Sequence, residues 1–273
     1  MLVKTYGVGP KTIILIHGGP SLSNYMSTLG CLLSDKYQVV EYSQKGTPEN
    51  PTANIKELTL SSHLNDLKVI VESHKNKPLV LIGHSWGASL ALLFIAENPG
   101  VISKTILIGS APLEDGASKK FGENTQSRLD QDSKEKLLAI KNSFDVAKTD
   151  DVKNVLMQER LRIIGPVYHF DPRTEENFSN LGWNYSSFVS SIDSLWDFID
   201  AGNISKALKN ISDPVIAYHG EYDPIPLEET FIFLKKNIVN LKTSVIKTSG
   251  HFPWLEIGAK NEFLSQLKNE LDL

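Results

Sequence analysis

The chain has 273 residues, of which 41% are hydrophobic and 22% charged, a balance typical of a globular protein with a sizeable core. Its 28 basic and 32 acidic residues give a formal net charge of −4 without a basic block, which argues against nucleic-acid and anionic-membrane partners. No apolar run approaches the length of a membrane span, and the first residues lack an apolar secretory core. The single cysteine, Cys31, can form neither an internal disulfide nor a zinc cluster, so we expect a cytoplasmic protein.

Short apolar runs alternate with segments of helical length along most of the chain. The runs are rich in Val, Ile and Leu without polar alternation, which is typical of parallel strands buried on both faces. They lie at 12–16, 38–42, 78–82, 105–109, 214–219 and 243–247. Helical patterns occupy 61–75, 86–97, 226–237 and 254–270. This alternation predicts an α/β fold with a mostly parallel central sheet flanked by helices.

The alternation stops between residues 112 and 205, a polar stretch with helical patterns and a group of aromatic residues. We interpret 112–205 as a helical cap inserted into a core formed by 1–111 and 206–273. The alternative is a set of helices that simply covers the core. Trp183 and Trp196 are candidate substrate-binding residues in an apolar wall, although aromatic residues at such spacing also form the core of a cap.

Gly83-His84-Ser85-Trp86-Gly87 is a G-x-S-x-G sequence that directly follows the strand at 78–82 and opens the helix at 86. This strand–turn–helix setting is the one that a nucleophile elbow requires. The two glycines suit a tight, strained turn in which flanking side chains would clash. We therefore predict that Ser85 is a catalytic nucleophile; the alternative is a glycine-rich turn with a helix-capping serine.

A serine nucleophile needs a histidine base that is oriented by an acid. In an α/β fold of this kind the acid and the histidine follow the serine in that order. Asp223 and His251 each lie just past a late strand, in loops at the carboxyl edge of the sheet. We predict that they complete a triad with Ser85, with Glu221 as the rival acid.

His17-Gly18-Gly19-Pro20 follows the first predicted strand, and its glycines would let the backbone approach a reacting carbon. The amides of Gly19 and Trp86 are our candidates for an oxyanion hole, because the second donor normally comes from the residue after the nucleophile. A simple turn would carry the same Gly-Gly-Pro sequence. No phosphate-binding glycine motif occurs, and we expect neither a cofactor nor a metal.

These motifs resemble those of the α/β-hydrolase superfamily over about residues 10–111 and 206–270. The HGGP and GHSWG sequences look most like the proline iminopeptidase branch, whose members cut an N-terminal residue from short peptides. The chain departs from that branch at Ser43 and Lys45, which replace the Asp and Arg of an Asp-Gln-Arg-Gly stretch, and at His84, where a glycine is usual. The branch holds the free amine of its substrate with cap carboxylates, for which the candidates are Glu175, Glu176, Asp193 and Asp197.

The resemblance implies a serine hydrolase that acts on a small ester or amide, with a small molecule or a short peptide as its partner. Three hypotheses stay open at this point. They are an iminopeptidase-like enzyme, a general carboxylesterase or C–C bond hydrolase, and a signalling protein that binds a small ligand in a hydrolase pocket. Epoxide hydrolases and haloalkane dehalogenases of this fold use an aspartate nucleophile, so Ser85 argues against both. The sequence does not indicate an oligomeric state.

Overall fold

The computed structural model describes residues 1–52, 54–171 and 181–273. Within them, a seven-stranded sheet has the spatial order β1-β3-β2-β4-β5-β6-β7. The strands are β1 (Val3–Tyr6), β2 (Thr12–Ile16), β3 (Gln38–Tyr42), β4 (Leu79–His84), β5 (Lys104–Ile108), β6 (Val215–Gly220) and β7 (Leu241–Ile246). Strand β1 pairs antiparallel with β3, and all other pairs are parallel. The predicted mostly parallel α/β fold is confirmed.

Helices cover both faces of this sheet. They are α1 (Ser27–Leu33), α2 (Leu60–His74), α3 (Trp86–Glu97), α4 (Asp115–Ser127), α5 (Gln131–Val146), α6 (Asp150–Ile164), α7 (Tyr185–Asp200), α8 (Asn203–Leu208), α9 (Leu227–Asn237) and α10 (Lys260–Asp272). Two short 3₁₀ turns span Ile55–Glu57 and Gly165–Tyr168. In the part of the chain that the structure describes, we find no helix with the length and apolar character of a membrane span.

Alternate residues of the central strands supply two apolar clusters, one on each face of the sheet. Ile14 and Ile16 belong to the cluster that includes α2 and α3, whereas Ile13 and Leu15 belong to the cluster that includes α1 and α10. Strands β2, β4 and β6 are buried along their whole length, and ten residues of α3 are buried. This packing fixes the carboxyl ends of the parallel strands, from which the candidate site residues emerge.

Most boundaries differ from the sequence prediction by one or two residues, and two elements differ more. Strand β1 was not predicted, because its four residues are largely exposed at the edge of the sheet and lack a buried apolar run. The last helix begins at Lys260 rather than at residue 254, because turns occupy the stretch that contains Pro253 and Gly258.

Helices α4 to α7 occupy the segment between β5 and α8, where the cap was expected. Helices α4 and α5 are more exposed than the helices against the sheet. Helix α5 buries one residue, Ile140, and α4 buries two, Ala117 and Thr125. The division into a core of 1–111 and 206–273 and a cap of 112–205 stays a prediction.

Candidate active site

Ser85 occupies a sharp turn between β4 and α3. Its φ of 54° and ψ of −120° place a non-glycine residue in a sparsely populated backbone region, at a cost of about 1–3 kcal/mol. The turn is closed by the backbone of its neighbours: a Cβ on Gly83 would meet the Gly87 carbonyl oxygen at 2.4 Å, and a Cβ on Gly87 would meet the Ile16 carbonyl oxygen at 2.1 Å. The Ser85 N–H donates to the Ile108 carbonyl at 3.0 Å. The strand–turn–helix geometry predicted for this sequence is therefore present.

Asp223 and His251 lie together in loops that follow β6 and β7. The Nδ1 atom of His251 is 2.7 Å from Oδ2 of Asp223, and both residues are buried. The other carboxylate oxygen, Oδ1, accepts the Ile225 N–H at 2.9 Å. Burial alone would raise the pKa of Asp223, but the charges of His251 and His219 and these hydrogen bonds outweigh it and hold the pKa below its usual value. An ionised Asp223 holds the Nδ1 proton of His251, which leaves Nε2 as the basic nitrogen.

Helix α4 fixes the loop that carries Asp223. Arg128, which follows the helix, donates from Nη1 to the Tyr222 carbonyl at 2.6 Å and from Nη2 to the Asp223 carbonyl at 3.4 Å. Its guanidinium lies 4.0 Å from the centre of the Tyr222 ring. Asn124 donates from Nδ2 to the Pro224 carbonyl at 2.9 Å. The rival acid, Glu221, is exposed and pairs with Lys247, so the structure does not bring it to His251.

The loop after β2 lies directly against Ser85. A Cβ on Gly18 would come within 2.6 Å of the Ser85 Cβ, so only glycine fits there without displacement. Gly19 has a φ of +53° and lines the same cavity as Ser85. Trp86 is the first residue of α3, where backbone N–H groups have no intrahelical acceptor. These positions fit the predicted donors, Gly19 and Trp86, which stay a prediction.

Gln44 joins this loop to the start of α3. Its Nε2 donates to the His17 carbonyl at 2.7 Å, and its Oε1 accepts the indole Nε1–H of Trp86 at 2.9 Å. The Gln44 N–H also faces Nε2 of His17 at 3.3 Å. Gln44 thereby sets the spacing between the two segments that carry the candidate oxyanion donors.

A cavity of about 90 Å³ lies over Ser85 and His251. Its wall combines residues of the sheet side with residues of α6 and the following turn. The lining consists of Gly19, Leu22, Tyr25, Ser85, Leu161, Ile164, Gly165, Tyr168, Trp183, His251 and Phe252. Most of these side chains are apolar or aromatic, so the cavity favours an uncharged group beside the serine hydroxyl.

The structure brings one of the six candidate substrate-binding residues to this cavity. Trp183 lines it and donates from Nε1 to the Pro20 carbonyl at 3.1 Å. Trp196 lies instead in an open surface groove with Asp115, Lys119 and Asp200, because its position on α7 faces α4. Asp193 and Asp197 are exposed on α7 and are not among the lining residues of the cavity. Glu175 and Glu176 lie outside the described residues.

The segment around Trp183 pairs with the loop after β2 through its backbone. Leu22 and Trp183 form an isolated antiparallel bridge. The Ser23 N–H donates to the Gly182 carbonyl at 2.9 Å, and the Asn184 N–H donates to the Ser21 carbonyl at 3.1 Å. The cap segment is thus hydrogen-bonded to the chain that immediately follows Gly19.

Several residues of the site were not predicted from the sequence. Gln44 was noted only as part of a family stretch, and Arg128 and Tyr25 carry no sequence signal because their partners are distant in the chain. His84 lies inside the serine motif, yet its buried contacts depend on residues 59 and 167 positions away. Among the described residues, no group of three His, Cys, Asp or Glu side chains is arranged to hold a metal ion.

The fold and this site define the class of protein. The sequence matches the family described as alpha/beta hydrolase fold over residues 11–256, and the chain belongs to that family.

Similar proteins include both a receptor and a peptidase. Karrikin insensitive 2 receptor B of Petunia hybrida is 30% identical over 132 residues, which cover 47% of this chain and 48% of the receptor. Proline iminopeptidase of Arabidopsis thaliana is 28% identical over 98 residues, which cover 36% of this chain and 26% of that protein. The chain therefore spans about half the length of the first relative and about a quarter of the second.

Solved structures with the same fold align over nearly the whole chain. A proline iminopeptidase of Mycobacterium smegmatis has a TM-score of 0.68 at 16% identity, over 99% of this chain and 93% of that one. The esterase EaEST of Exiguobacterium antarcticum has a TM-score of 0.68 at 17% identity, over 99% of this chain and 95% of that one. At these identities the likeness concerns the fold alone.

Proposed function

We propose that this protein is a cytoplasmic serine hydrolase that cleaves a small ester or amide through Ser85, His251 and Asp223. One observation carries the proposal: His251, held 2.7 Å from the buried Asp223, shares a small cavity with a serine on a strained strand-to-helix turn. Nucleophilic acyl transfer requires an oriented base and a hydroxyl group that share one cavity.

The reaction follows from these positions. The Ser85 Oγ attacks the substrate carbonyl carbon while His251 Nε2 takes the hydroxyl proton, and the amides of Gly19 and Trp86 receive the oxyanion. Collapse of the tetrahedral species breaks the bond to the leaving group, which takes the proton from His251. Water then attacks the acyl-enzyme with His251 as base, and the carboxylic acid product leaves with Ser85 restored.

The cavity favours a short, uncharged acyl group. Its volume of about 90 Å³ is small beside the roughly 300–1,000 Å³ of pockets that hold drug-sized ligands. Leu161, Ile164 and Trp183 offer an apolar surface to such a group. These features support a small-ester hydrolase as the first candidate.

The test compares the hydrolysis of p-nitrophenyl butyrate, prolyl p-nitroanilide and N-acetylprolyl p-nitroanilide, with the Ser85→Ala variant as the blank. We expect rapid release from the ester and little from either anilide. Equal ester release by the Ser85→Ala variant would contradict the proposal.

An iminopeptidase-like activity is a second candidate, favoured by the HGGP and GHSWG sequences and by the relatives of that name. It requires an anchor for the free amine of the substrate. A preference for the free-amine prolyl anilide over its acetylated form would support this candidate and would indicate an acidic anchor in the cap.

A small-ligand receptor is the third candidate, favoured by the similarity to karrikin receptors. A receptor with an intact triad would react slowly, so the number of turnovers separates it from an enzyme. Labelling by a fluorophosphonate, followed by mass spectrometry of the Ser85 peptide, tests the nucleophile. Many product molecules per chain would indicate an enzyme, whereas a single slow event per chain would favour the receptor.

A further inference from the structure

Two buried side chains outside the triad, Tyr25 and His84, connect the three loops of the candidate site. The Gly18 N–H donates to the Tyr25 hydroxyl oxygen at 2.8 Å. That hydroxyl lies 2.5 Å from Nδ1 of His84, and Nε2 of His84 lies 2.9 Å from the carbonyl oxygen of His251. The contacts therefore run from the loop before Gly19, through the residue that precedes Ser85, to the backbone of His251.

The partners determine where the protons lie. A carbonyl oxygen only accepts, so Nε2 of His84 must carry a proton and donate it to His251. Burial, together with the nearby His251, lowers the pKa of His84 well below its usual value, so the ring is neutral and Nδ1 is an acceptor. The Tyr25 hydroxyl accordingly accepts from Gly18 and donates to His84. Every donor in this chain of hydrogen bonds points the same way.

The ring of His84 is held in place on its other sides. Its centre lies 4.3 Å from that of His251, 4.9 Å from that of Phe252 and 4.9 Å from that of Trp254. The Tyr25 ring meets it edge-on at 5.5 Å. A ring enclosed in this way transmits a displacement of one loop to the others, because packed side chains have no free volume in which to absorb it.

We propose that Tyr25 and His84 are positioning residues that set the spacing between the Gly19 loop, Ser85 and His251 through this chain of hydrogen bonds. The inference rests on the proposed serine hydrolase function. Neither side chain exchanges a proton with the substrate. Their effect is on the alignment of the oxyanion donors and the base in the transition state, so kcat should change far more than KM.

The first test is the Tyr25→Phe variant, which removes only the hydroxyl group. With p-nitrophenyl butyrate we expect kcat to fall by about 10- to 100-fold, with KM within about three-fold of wild type. The matched control is Tyr42→Phe, since the Tyr42 hydroxyl is also buried but has no hydrogen-bond partner among the described residues. The control should keep wild-type kinetics. A Tyr25→Phe kcat equal to that of the control, in a natively folded variant, would overturn the proposal.

A double-mutant cycle tests whether Tyr25 acts through His84. The His84→Phe variant keeps a ring in the same place but has no nitrogen, so it loses both the Nδ1 acceptor and the donor to the His251 carbonyl. Adding Tyr25→Phe to it should lower kcat by less than about three-fold, because the hydrogen bond is already lost. If the two substitutions lowered kcat independently, so that their effects multiplied, the proposed chain of hydrogen bonds would be contradicted. If Tyr25→Phe fails to fold, the changes of kcat and KM in His84→Phe test the proposal in the same way.

Long-range ¹H–¹⁵N spectra of the histidine rings provide a measurement that needs no substrate. We expect a neutral His84 with its proton on Nε2 at neutral pH, and a shifted Nδ1 resonance in Tyr25→Phe but not in Tyr42→Phe. A proton on Nδ1 in the wild-type protein would overturn the proposal. Failure of the function is distinguishable: a fully active Ser85→Ala variant removes the nucleophile, whereas normal Ser85 labelling with an unaffected Tyr25→Phe variant removes this inference alone.

Discussion

The strands that carry the candidate site are more deeply buried than the part of the chain that covers it. This covering part, called the roof below, consists of α6 and the turn Gly165–Tyr168. Strands β2, β4 and β6 are buried throughout. Hydrogen bonds join Gln44 to Trp86 and Asp223 to His251, which ties the segment after β3 to that after β4 and the loop after β6 to that after β7. Helix α6, which supplies Leu161 and Ile164 to the cavity, buries only four of its 15 residues. A fixed edge can hold reacting groups to fractions of an ångström, whereas a loosely buried roof can change its lining at little cost in stability. We therefore expect sheet-side substitutions to act on rate and roof substitutions to act on substrate preference.

Replacing Ser85 should have the largest effect. We expect Ser85→Ala to lower kcat by about 10⁴- to 10⁶-fold, because the covalent route is lost. The measurement is steady-state hydrolysis of p-nitrophenyl butyrate. Ser89→Ala is the matched control, since Ser89 is a buried serine on the same helix whose hydroxyl has no partner among the described residues. Retention of more than about a tenth of the activity in Ser85→Ala would exclude this nucleophile.

Removing the charge of Asp223 should rank second. Asp223→Asn should lower kcat by about 10³- to 10⁴-fold while the protein stays folded, because His251 loses the partner that fixes its tautomer. Glu221→Gln tests the rival acid on the same loop and should change kcat by less than about two-fold. The reverse ranking, in rates normalised to the folded fraction, would assign the acid to Glu221 instead.

Substitutions in the roof should change the preference between substrates of different acyl length. Ile164→Ala enlarges the cavity over Ser85, so kcat/KM for hexanoate relative to butyrate p-nitrophenyl esters should rise by about ten-fold. Ile140→Ala removes the same atoms from a buried position of α5 away from the cavity lining and should leave the ratio unchanged. A change of equal size in both variants would mean that general loosening, rather than cavity volume, sets the preference.

Two buried histidines, His17 and His63, should also make the free energy of unfolding depend on pH. Burial lowers the pKa of His17 and of His63 to about 4, from an ordinary value of 6.5, so the unfolded chain binds more protons than the native one between these values. The free energy of unfolding should then fall with decreasing pH in this window, by about 1.4 kcal/mol per pH unit for each histidine. Urea unfolding at several pH values measures the slope. In the His63→Gln variant, the slope of the unfolding free energy against pH should be smaller by about 1.4 kcal/mol per pH unit. An unchanged slope would contradict the lowered pKa of His63.

Sequence patterns predicted the features that arise from local chemistry. The six apolar runs correspond to strands β2 to β7. Strands β2 to β6 are buried almost throughout, which leaves a clear signal, whereas exposed β1 left none. The serine turn could be read from Gly83 and Gly87, since only glycine tolerates the backbone contacts made there. The order of serine, acid and histidine led to Asp223 and His251, which the structure brings within 2.7 Å of each other.

The remaining residues depend on contacts that no local pattern encodes. Arg128 reaches the acid loop across 94 positions and Tyr25 reaches His84 across 59, and neither spacing follows from helical or strand periodicity. Trp183 and Trp196 belong to the same aromatic group in the sequence, yet only the first lines the cavity. Trp183 lies in the backbone bridge to Leu22, whereas Trp196 lies on α7 in the groove with Asp115 and Lys119. Which residues line the cavity thus depends on tertiary contacts rather than on a local sequence pattern.

The backbone bridge between Leu22 and Trp183 bears on how such proteins diversify. Two hydrogen bonds bind residues 182–184 to residues 21–23, directly beside Gly19. A chimera that takes the whole segment between β5 and α8 from another protein would also replace residues 182–184, one half of this bridge. The Gly19 loop would then form its backbone hydrogen bonds with residues of the other protein. Grafts that retain residues 181–184 from the recipient should preserve turnover, whereas grafts that replace them should need compensating changes near residue 22. New specificities on this scaffold are therefore most accessible through α6, where Leu161 and Ile164 can vary without touching the bridge.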